Sequence, residues 1–255
     1  MKSTKNERVY IWEDTQQKCL AGIYKNLKIG KSEKFSKDDK QFDNLALEKK
    51  YCMEVKVFNE DVLIVAEILK DLGENNMLVL NLASHTTFGG GVKRGAQAQE
   101  EELFRRTNYF TTNVNGFYPL KKMEAVYTPN VTVIKDNNYK DLKKPFEVNM
   151  LAVAGIQNPQ LENDNTLNTW DYHVTCNAIE NIFKISLLKG HDTLILGALG
   201  CGAFHNPPEE IVKIFNIYLE KYNGCFKTIV FAVLSRSDEN FNIFNTNIKR
   251  YNIKT

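Results

Sequence analysis

Two adjacent glutamates and a run of three glycines are the residues in this sequence best suited to chemistry. The glycines, called the triple glycine below, are Gly89, Gly90 and Gly91. Gln99, Glu100 and Glu101 follow after seven intervening residues. Backbone amides of glycines can approach a ligand closely, and a positioned carboxyl can protonate the oxygen that leaves when a glycosidic bond breaks. The spacing therefore indicates a candidate site for glycosidic bond cleavage.

On spacing alone, an ordinary structural role explains these acids better. Acidic residues in the first turn of a helix favour the helix dipole. The i, i+4 spacing predicts two ion pairs along the helix surface, Glu101–Arg105 and Glu102–Arg106. Because neighbouring helical residues project about 100° apart, Glu100 is expected on a different face from Glu101, turned toward the protein interior.

A second glycine-containing loop also lies between an apolar segment and the start of a helix. Gly200 and Gly202 open its backbone, and their surroundings, with the helix N-terminus that follows, suit a diphosphate. Phe204 is suited to stack on a ribose or a base, and a core contact that anchors the loop is equally open. Cys201 and His205 could form a nucleophilic pair, although close packing between glycines explains a small residue better. Two anion-binding loops in one α/β domain suggest a ligand with two sides, such as an ADP-sugar.

Alternating strand and helix patterns place both loops in an α/β domain. Apolar runs predict six strands, at residues 54–58, 77–83, 126–135, 148–154, 193–199 and 228–234. Helical periodicity predicts five helices, at residues 8–27, 61–72, 97–107, 168–189 and 207–222. This alternation predicts a mixed, mostly parallel sheet covered by helices on both faces. Residues 30–43 are polar and are expected to form a loop.

Two details of the helices are also predicted. Asn206 is expected to cap the 207–222 helix, with Pro207 at its first position and Glu209 at its third. Trp170 is expected on the buried side of the 168–189 helix.

Composition and charge restrict the class of protein. The chain has 33 Lys or Arg and 31 Asp or Glu among 255 residues, a net charge of +2, which is less basic than nucleic-acid binders usually are. Pairs of cations such as Lys121 and Lys122 are therefore expected mainly as solvated surface charge. No apolar run is long enough to span a membrane, and the charged N-terminus predicts no secretory signal. Five scattered cysteines without a CxxC pair predict reduced thiols, no zinc site and a cytoplasmic location.

The motifs taken together resemble those of a known family. The triple glycine and the Gln-Glu-Glu run match the signature of poly(ADP-ribose) glycohydrolases, and NLASHTTFGGGVKRGAQAQEEEL resembles their microbial-type branch. GALGCGAFHNPPEE, YTPNVTVIKD and KVFNEDVLIVAEIL extend the resemblance over about residues 50–245. It implies a three-layer α/β/α, macrodomain-like mixed sheet with an N-terminal helical extension. The extension would comprise residues 1–50, and the catalytic domain residues 51–255.

The resemblance implies a glycosidase that hydrolyses the ribose–ribose O-glycosidic bonds of poly(ADP-ribose) without a metal or a cofactor. Glu101 would protonate the leaving hydroxyl and then activate water, while Glu100 would hold the terminal ribose. The other substrate contacts that the resemblance implies are Asn81, Gly89, Gly90, Gly91, Val92, Gln99, Gly200, Cys201, Gly202, Ala203, Phe204 and, at the adenine, Asp61. The N-terminal segment would cap the terminal ribose and so restrict cleavage to chain ends. The expected partners are poly(ADP-ribose) or ADP-ribosylated macromolecules, with ADP-ribose as the product, and a monomer with no membrane partner is expected.

Two other functions stay open at this point. A non-catalytic reader of ADP-ribose would keep both glycine loops without needing Glu101. A hydrolase of mono-ADP-ribosylated acceptors would keep the chemistry but would need room at the leaving-group side. The approach to the triple glycine departs from the family at His85, Thr86 and Thr87, and at Phe88, where proline is frequent. These differences bear on loop rigidity and substrate preference more than on the chemistry.

Overall fold

Short apolar and β-branched runs form a seven-stranded sheet. The computed structural model describes residues 3–24, 30–235 and 237–251. Its strands are β1 (Glu33–Phe35), β2 (Glu54–Phe58), β3 (Met77–Leu82), β4 (Ala125–Lys135), β5 (Asp141–Val153), β6 (Thr193–Leu196) and β7 (Thr228–Ala232). They lie in the order β1-β4-β5-β3-β6-β7-β2, in which only the β1–β4 and β4–β5 pairs of these strands are antiparallel. The prediction of a mixed, mostly parallel sheet is confirmed.

The helices begin and end where the local sequence satisfies their backbone groups. They are α1 (Lys5–Leu20), α2 (Val62–Asp71), α3 (Gln99–Arg106), α4 (Thr169–Leu188), α5 (Pro208–Lys221) and α6 (Glu239–Asn247). Thr4 and Glu7 form a capping box at the start of α1, and the carboxylate of Asp61 accepts two backbone N–H bonds at the start of α2. Among the described residues, we find no helix whose length and apolar character would let it cross a membrane.

Successive residues of a strand point to opposite faces of the sheet, and helices cover both of these faces. Leu78 and Leu80 of β3 belong to a core that includes residues of α4, α5 and α6. Met77 and Val79 of the same strand belong to a second core with residues of α1, α2 and α3. The predicted three-layer α/β/α arrangement is therefore confirmed.

The structure corrects the prediction at three places in the chain. The first helix begins at Lys5 and ends at Leu20, and the predicted part around Leu27 lies outside the described residues. The segment expected to be a loop at residues 30–43 contains β1, which pairs with β4 and buries Phe35. Three residues with one buried side chain are too few to show a strand period, so sequence patterning missed it. The helix α6 was also not predicted, since its sequence is rich in Asn.

Trp170 is the clearest error in the predicted burial. It lies in the first turn of α4 with 60% of its surface exposed, whereas Val174, Ile179 and Ile182 of the same helix are buried as expected. In this turn the buried residue is Asp171, whose carboxylate accepts a 2.9 Å hydrogen bond from a loop amide. The helical pattern therefore identified the buried face correctly but extended it one turn too far.

The N-terminal helix packs onto the helix that carries the two glutamates. Trp12 of α1 is 3% exposed, and its ring centroid lies 6.0 Å from that of Phe104 in α3. The hydroxyl of Thr15 donates a hydrogen bond of 2.6 Å to the carbonyl oxygen of Arg105. Arg8 Nε donates a bond of 2.8 Å to the carbonyl oxygen of Gly95, just before α3. Helix α1 therefore supports α3 and the turn that leads into it.

Replacing Trp12 with alanine is expected to lower the free energy of unfolding by about 3–5 kcal/mol, because it leaves a large cavity between α1 and α3. Urea denaturation measures this loss. Tyr10→Ala is the matched control, since Tyr10 lies on the same helix with 71% of its surface exposed. Equal midpoints for the two variants would show that α1 does not support α3.

Candidate active site

The carboxylate of Glu101, in the first turn of α3, caps the N-terminus of its own helix by accepting a backbone hydrogen bond. The N-cap residue, Ala98, has no side-chain acceptor, so Glu101 Oε2 accepts a 3.0 Å hydrogen bond from the Ala98 amide. Glu101 Oε1 accepts a 2.8 Å bond from the amide of Gly91 in the triple glycine. One carboxylate thus joins the helix start to the glycine loop, and only 6% of the Glu101 surface is exposed.

Glu100 is held in a separate nest of donors next to Glu101. Its carboxylate accepts bonds from the amide of Ser84 (2.8 Å), the amide of Gly89 (3.2 Å) and the side-chain amide of Asn81 (3.3 Å). Burial raises the pKa of Glu100 to about 7, and the neighbouring Glu101 charge adds to that rise while the three donors oppose it. Near neutral pH this carboxyl therefore exists in both protonation states.

The triple glycine can approach the two carboxylates only because it lacks side chains. A Cβ on Gly90 would overlap Glu101 Oε1 and come within 3.1 Å of Glu100 Oε2. The backbone of Gly90 also has φ +56, a conformation that L side chains rarely adopt. Glycine is therefore required at this position by both contact and conformation.

Gln99 fixes α3 to the end of β3. Its side-chain oxygen accepts a 2.9 Å bond from the Leu82 amide, and its side-chain nitrogen donates a 2.6 Å bond to the Leu80 carbonyl oxygen. Asn81 lies between them, fully buried, and its oxygen has no hydrogen-bond partner in the described part of the chain. The register between strand and helix is thereby set at the residue before the glutamates.

The arginines of α3 do not form the predicted ion pairs. Arg105 pairs with Glu102 at 2.9 Å, and Arg106 reaches the Asp61 carboxylate at 2.6 Å. The predicted Glu101–Arg105 pair is wrong because the Glu101 carboxylate accepts from backbone amides. The predicted Glu102–Arg106 pair is wrong because Glu102 pairs with Arg105 instead. Asp61 therefore serves two elements, as the cap of α2 and as the partner of Arg106.

The second glycine loop is tied together by Asn206, which does not cap α5 as predicted. Its side-chain nitrogen donates to the carbonyl oxygens of Ile156 (2.6 Å) and Gly200 (3.0 Å), and α5 begins at Pro208 without a side-chain cap. Gly200 has φ +75, and a Cβ there would overlap the Asn206 side chain. Asn206 thus holds the loop in shape instead of terminating the helix.

The geometry does not favour a Cys201–His205 nucleophilic pair. Cys201 Sγ lies 3.7 Å from the Leu199 carbonyl oxygen, and burial raises the pKa of its thiol well above the ordinary value. His205 Nδ1 lies 2.8 Å from the side-chain oxygen of Asn158. The two groups have different partners, so neither activates the other.

A cavity of about 560 Å³ lies beside the second glycine loop, at the carboxyl ends of the parallel strands. Its lining combines α2 and α3 residues with the second glycine loop and includes Asp61, Gln99, Gly200, Gly202, Ala203 and Phe204. Glu100 and Glu101 follow Gln99 along α3 but are not lining residues of the cavity, and the triple glycine lies against their carboxylates. Val92 and Asn81 are buried beside this region rather than on the cavity wall.

Several residues at the cavity were not identified from the sequence. Arg106 and Tyr139 line its Asp61 end, and the Tyr139 hydroxyl donates a 2.9 Å bond to Glu102. At the other end, the rings of His85 and Phe204 are stacked, with centroids 5.9 Å apart and planes 14° apart. In the sequence, His85 stands out only as an unusual residue before the triple glycine. Nothing in the local pattern indicates that its ring faces a residue more than a hundred positions later.

Comparisons with known proteins agree with this arrangement. The family model described as the microbial-type PARG catalytic domain, where PARG is poly(ADP-ribose) glycohydrolase, matches residues 2–136. The match begins at residue 2 and so includes the N-terminal segment, where the motifs alone gave little resemblance. No curated protein matches the chain.

Solved bacterial structures share the fold. PARG from Thermomonospora curvata is 23% identical, with a TM-score of 0.84 over 95% of this chain and 100% of that chain. Its complex with the inhibitor ADP-HPD is 22% identical, with a TM-score of 0.81 over 94% and 98% of the two chains. PARG from Deinococcus radiodurans in complex with ADP-ribose is 23% identical, with a TM-score of 0.71 over 85% and 93%. The α/β/α fold is therefore macrodomain-like.

The raised pKa of Glu100 predicts a pH-dependent stability. Because the folded pKa of about 7 exceeds the ordinary value of 4.5, the stability that Glu100 contributes is fully present below pH 4.5 and is lost as pH rises through 7. Relative to Glu100→Gln, wild type should lose about 3 kcal/mol of unfolding free energy over this window. Urea denaturation of both proteins from pH 4.5 to pH 8 measures the difference. A pH-independent difference would contradict the raised pKa.

Gly90→Ala is expected to displace the Glu101 carboxylate and to lower cleavage of poly(ADP-ribose) by about a hundredfold, because a shift of about 1 Å within an active site costs about that much in rate. Gly116→Ala is the control, because a Cβ there has no heavy atom within 4 Å. Initial rates measure both variants, and circular dichroism checks that each is folded. Equal activity of the two variants would show that the close approach at Gly90 is unimportant.

Proposed function

Because the chain belongs to the microbial-type poly(ADP-ribose) glycohydrolase family, we propose that it removes terminal ADP-ribose units from poly(ADP-ribose) with Glu101 as the general acid. The observation that carries this proposal is the carboxylate of Glu101 held at 2.8 Å by the Gly91 amide, two residues along α3 from Gln99, which lines a cavity together with the second glycine loop. The complexes of related proteins with ADP-ribose and with ADP-HPD support a ligand of this class.

In the proposed reaction, protonated Glu101 gives its proton to the oxygen that leaves the anomeric carbon of the terminal ribose. The carbon–oxygen bond breaks with its electron pair on that oxygen, and positive charge develops on the ribose ring. The Glu101 carboxylate then accepts a proton from water, whose oxygen bonds to the anomeric carbon and completes ADP-ribose. The acid is thereby restored, and no other group has to be consumed.

Glu100 is proposed to hold the terminal ribose. With a pKa of about 7, its carboxyl can donate a hydrogen bond in one protonation state and accept one in the other. The Asn81, Ser84 and Gly89 donors fix its orientation without filling every lone pair on its oxygens. Gly200, Gly202 and Ala203 are proposed to bind the diphosphate through their loop, with Phe204 beside the ribose.

The position of α1 supports cleavage at chain ends. The carbonyl oxygen of Lys5 packs against Gly95, where no Cβ would fit, and Arg8 bonds to the same residue. The N-terminal helix thus lies against the turn that joins the triple glycine to Glu101. We propose that the N-terminal segment closes the site to polymer continuing from the adenosine 2′-hydroxyl of the bound unit, while the leaving side stays open, so that the enzyme is exo-acting.

Glu101→Gln is expected to lower the rate of ADP-ribose release by about 10²–10⁴, because a positioned general acid contributes that much. The measurement is release of ADP-ribose from purified poly(ADP-ribose), with ADP-ribose binding by calorimetry as the check on the ligand site. Glu48→Gln, at an exposed carboxylate, is the matched control. If wild type binds ADP-ribose but leaves the polymer uncut, the protein is a reader or acts on mono-ADP-ribosylated acceptors.

A further inference from the structure

An exposed aromatic and basic strip runs outward from the cavity at Phe204. We call it the Trp170 strip and define it as His85, Lys121, Lys122 and Trp170. The His85 ring is stacked on Phe204. The backbone carbonyl oxygen of His85 accepts a 2.8 Å bond from the amide of Leu120, the residue before Lys121. Lys122 Nζ lies 6.0 Å from the centroid of the Trp170 ring. These contacts make a continuous surface from the cavity to the first turn of α4.

The fold does not explain the side chains of this strip. Trp170 is 60% exposed and so adds little to the core, although an indole is among the largest apolar groups a protein can bury. Lys121 and Lys122 are exposed and form no ion pair with any described residue. The strip therefore combines an exposed aromatic ring, which has Lys122 over one of its faces, with two lysines that form no ion pair with a described residue.

His85 gives the strip a second aromatic surface. Its ring is half-buried, and burial together with the nearby Lys122 charge keeps the pKa of His85 below its usual value. At neutral pH the ring is therefore mainly uncharged. A neutral imidazole suits stacking with a base or ribose, whereas the lysines beside it suit phosphates.

The chemistry of the polymer indicates what a subsite on the leaving side of the scissile bond has to bind. In poly(ADP-ribose), the hydroxyl that leaves belongs to the adenosine ribose of the adjoining ADP-ribose unit. The leaving group therefore carries an adenine and a diphosphate next to the reacting atom. Aromatic side chains bind bases by stacking, and lysines bind phosphates through charge, which are the two properties that the strip presents.

We propose that the Trp170 strip is a leaving-side subsite that binds the adenine and diphosphate of the unit adjoining the scissile bond. Trp170 stacks with the adenine, and Lys121 and Lys122 neutralise the diphosphate. The subsite makes the enzyme favour a polymer end over an ADP-ribose attached to a small acceptor. This inference rests on the proposed function, because it extends the same site.

The test compares the binding of ADP-ribose with that of an ADP-ribose dimer joined by the ribose–ribose bond. The proteins carry Glu101→Gln so that the dimer stays intact during calorimetry. The dimer is expected to bind about five- to twentyfold more tightly than ADP-ribose, at the low end of the contribution of one base stack. Trp170→Ala should lower the affinity for the dimer to that for ADP-ribose, without changing the affinity for ADP-ribose itself. Lys122→Gln should reduce the ratio and make it less sensitive to salt.

Matched controls separate the strip from general effects of surface mutation. Tyr10→Ala removes another exposed aromatic ring, and Lys143→Gln removes another exposed lysine. Both should keep the full ratio between dimer and ADP-ribose. A readout of affinity ratios also excludes a purely structural effect, because damage to the fold would weaken both ligands together.

Three results would overturn the subsite. They are equal affinity for dimer and ADP-ribose in the parent protein, an unchanged ratio in Trp170→Ala, and an equal loss for both ligands. A fourth result, no binding of ADP-ribose at all, would overturn the proposed function and the subsite with it. If the strip variants instead lose affinity only for an ADP-ribosylated protein, the surface recognises an acceptor protein and the polymer proposal is wrong.

Discussion

The hydrogen bonds between the two glutamate carboxylates and the backbone amides around them hold the site together. A helix N-terminus leaves unpaired N–H groups, and the cap residue Ala98 has no side chain that can accept from them. Glu101 supplies that acceptor and binds the triple glycine with its other oxygen. Glu100 does the same for the end of β3 and for Gly89. The groups proposed for catalysis are therefore also the groups that fix the loop, so position and function depend on the same bonds.

This double role explains why the two adjacent acids differ so much in surroundings. Glu100 is buried with its donors on the side of β3, and its pKa rises because the loss of water outweighs three hydrogen bonds. Glu101 faces the glycine loop and the start of its own helix. Because the two side chains leave the helix about 100° apart, each can have its own set of amides. A single turn of helix thus provides two carboxyl groups with separate tasks.

Much of the fold was predictable because its strands and most of its helices have strong patterns. β3 is apolar at every position except Asn81, and Gly73 follows α2 at a positive φ. The two glycine loops could also be assigned to one site from the sequence, because the resemblance to poly(ADP-ribose) glycohydrolases covers both of them. The misses have physical reasons. Only one of the three residues of β1 is buried. Asn206 donates to backbone carbonyl oxygens instead of capping α5. Arg106 forms its ion pair with Asp61, the N-cap residue of another helix. Each depends on contacts distant in the sequence, which local patterns do not contain.

The order of the strands has a consequence for how the protein forms during synthesis. β2 precedes its pairing partner in the sheet, β7, by about 170 residues, so this edge forms only after β7 has left the ribosome. An incomplete chain that ends before β7 leaves the apolar residues of β2 without their partner strand, so it exposes surface that favours aggregation. The site is therefore assembled only after β7 has been translated, since Ala232 at the end of β7 lines the cavity.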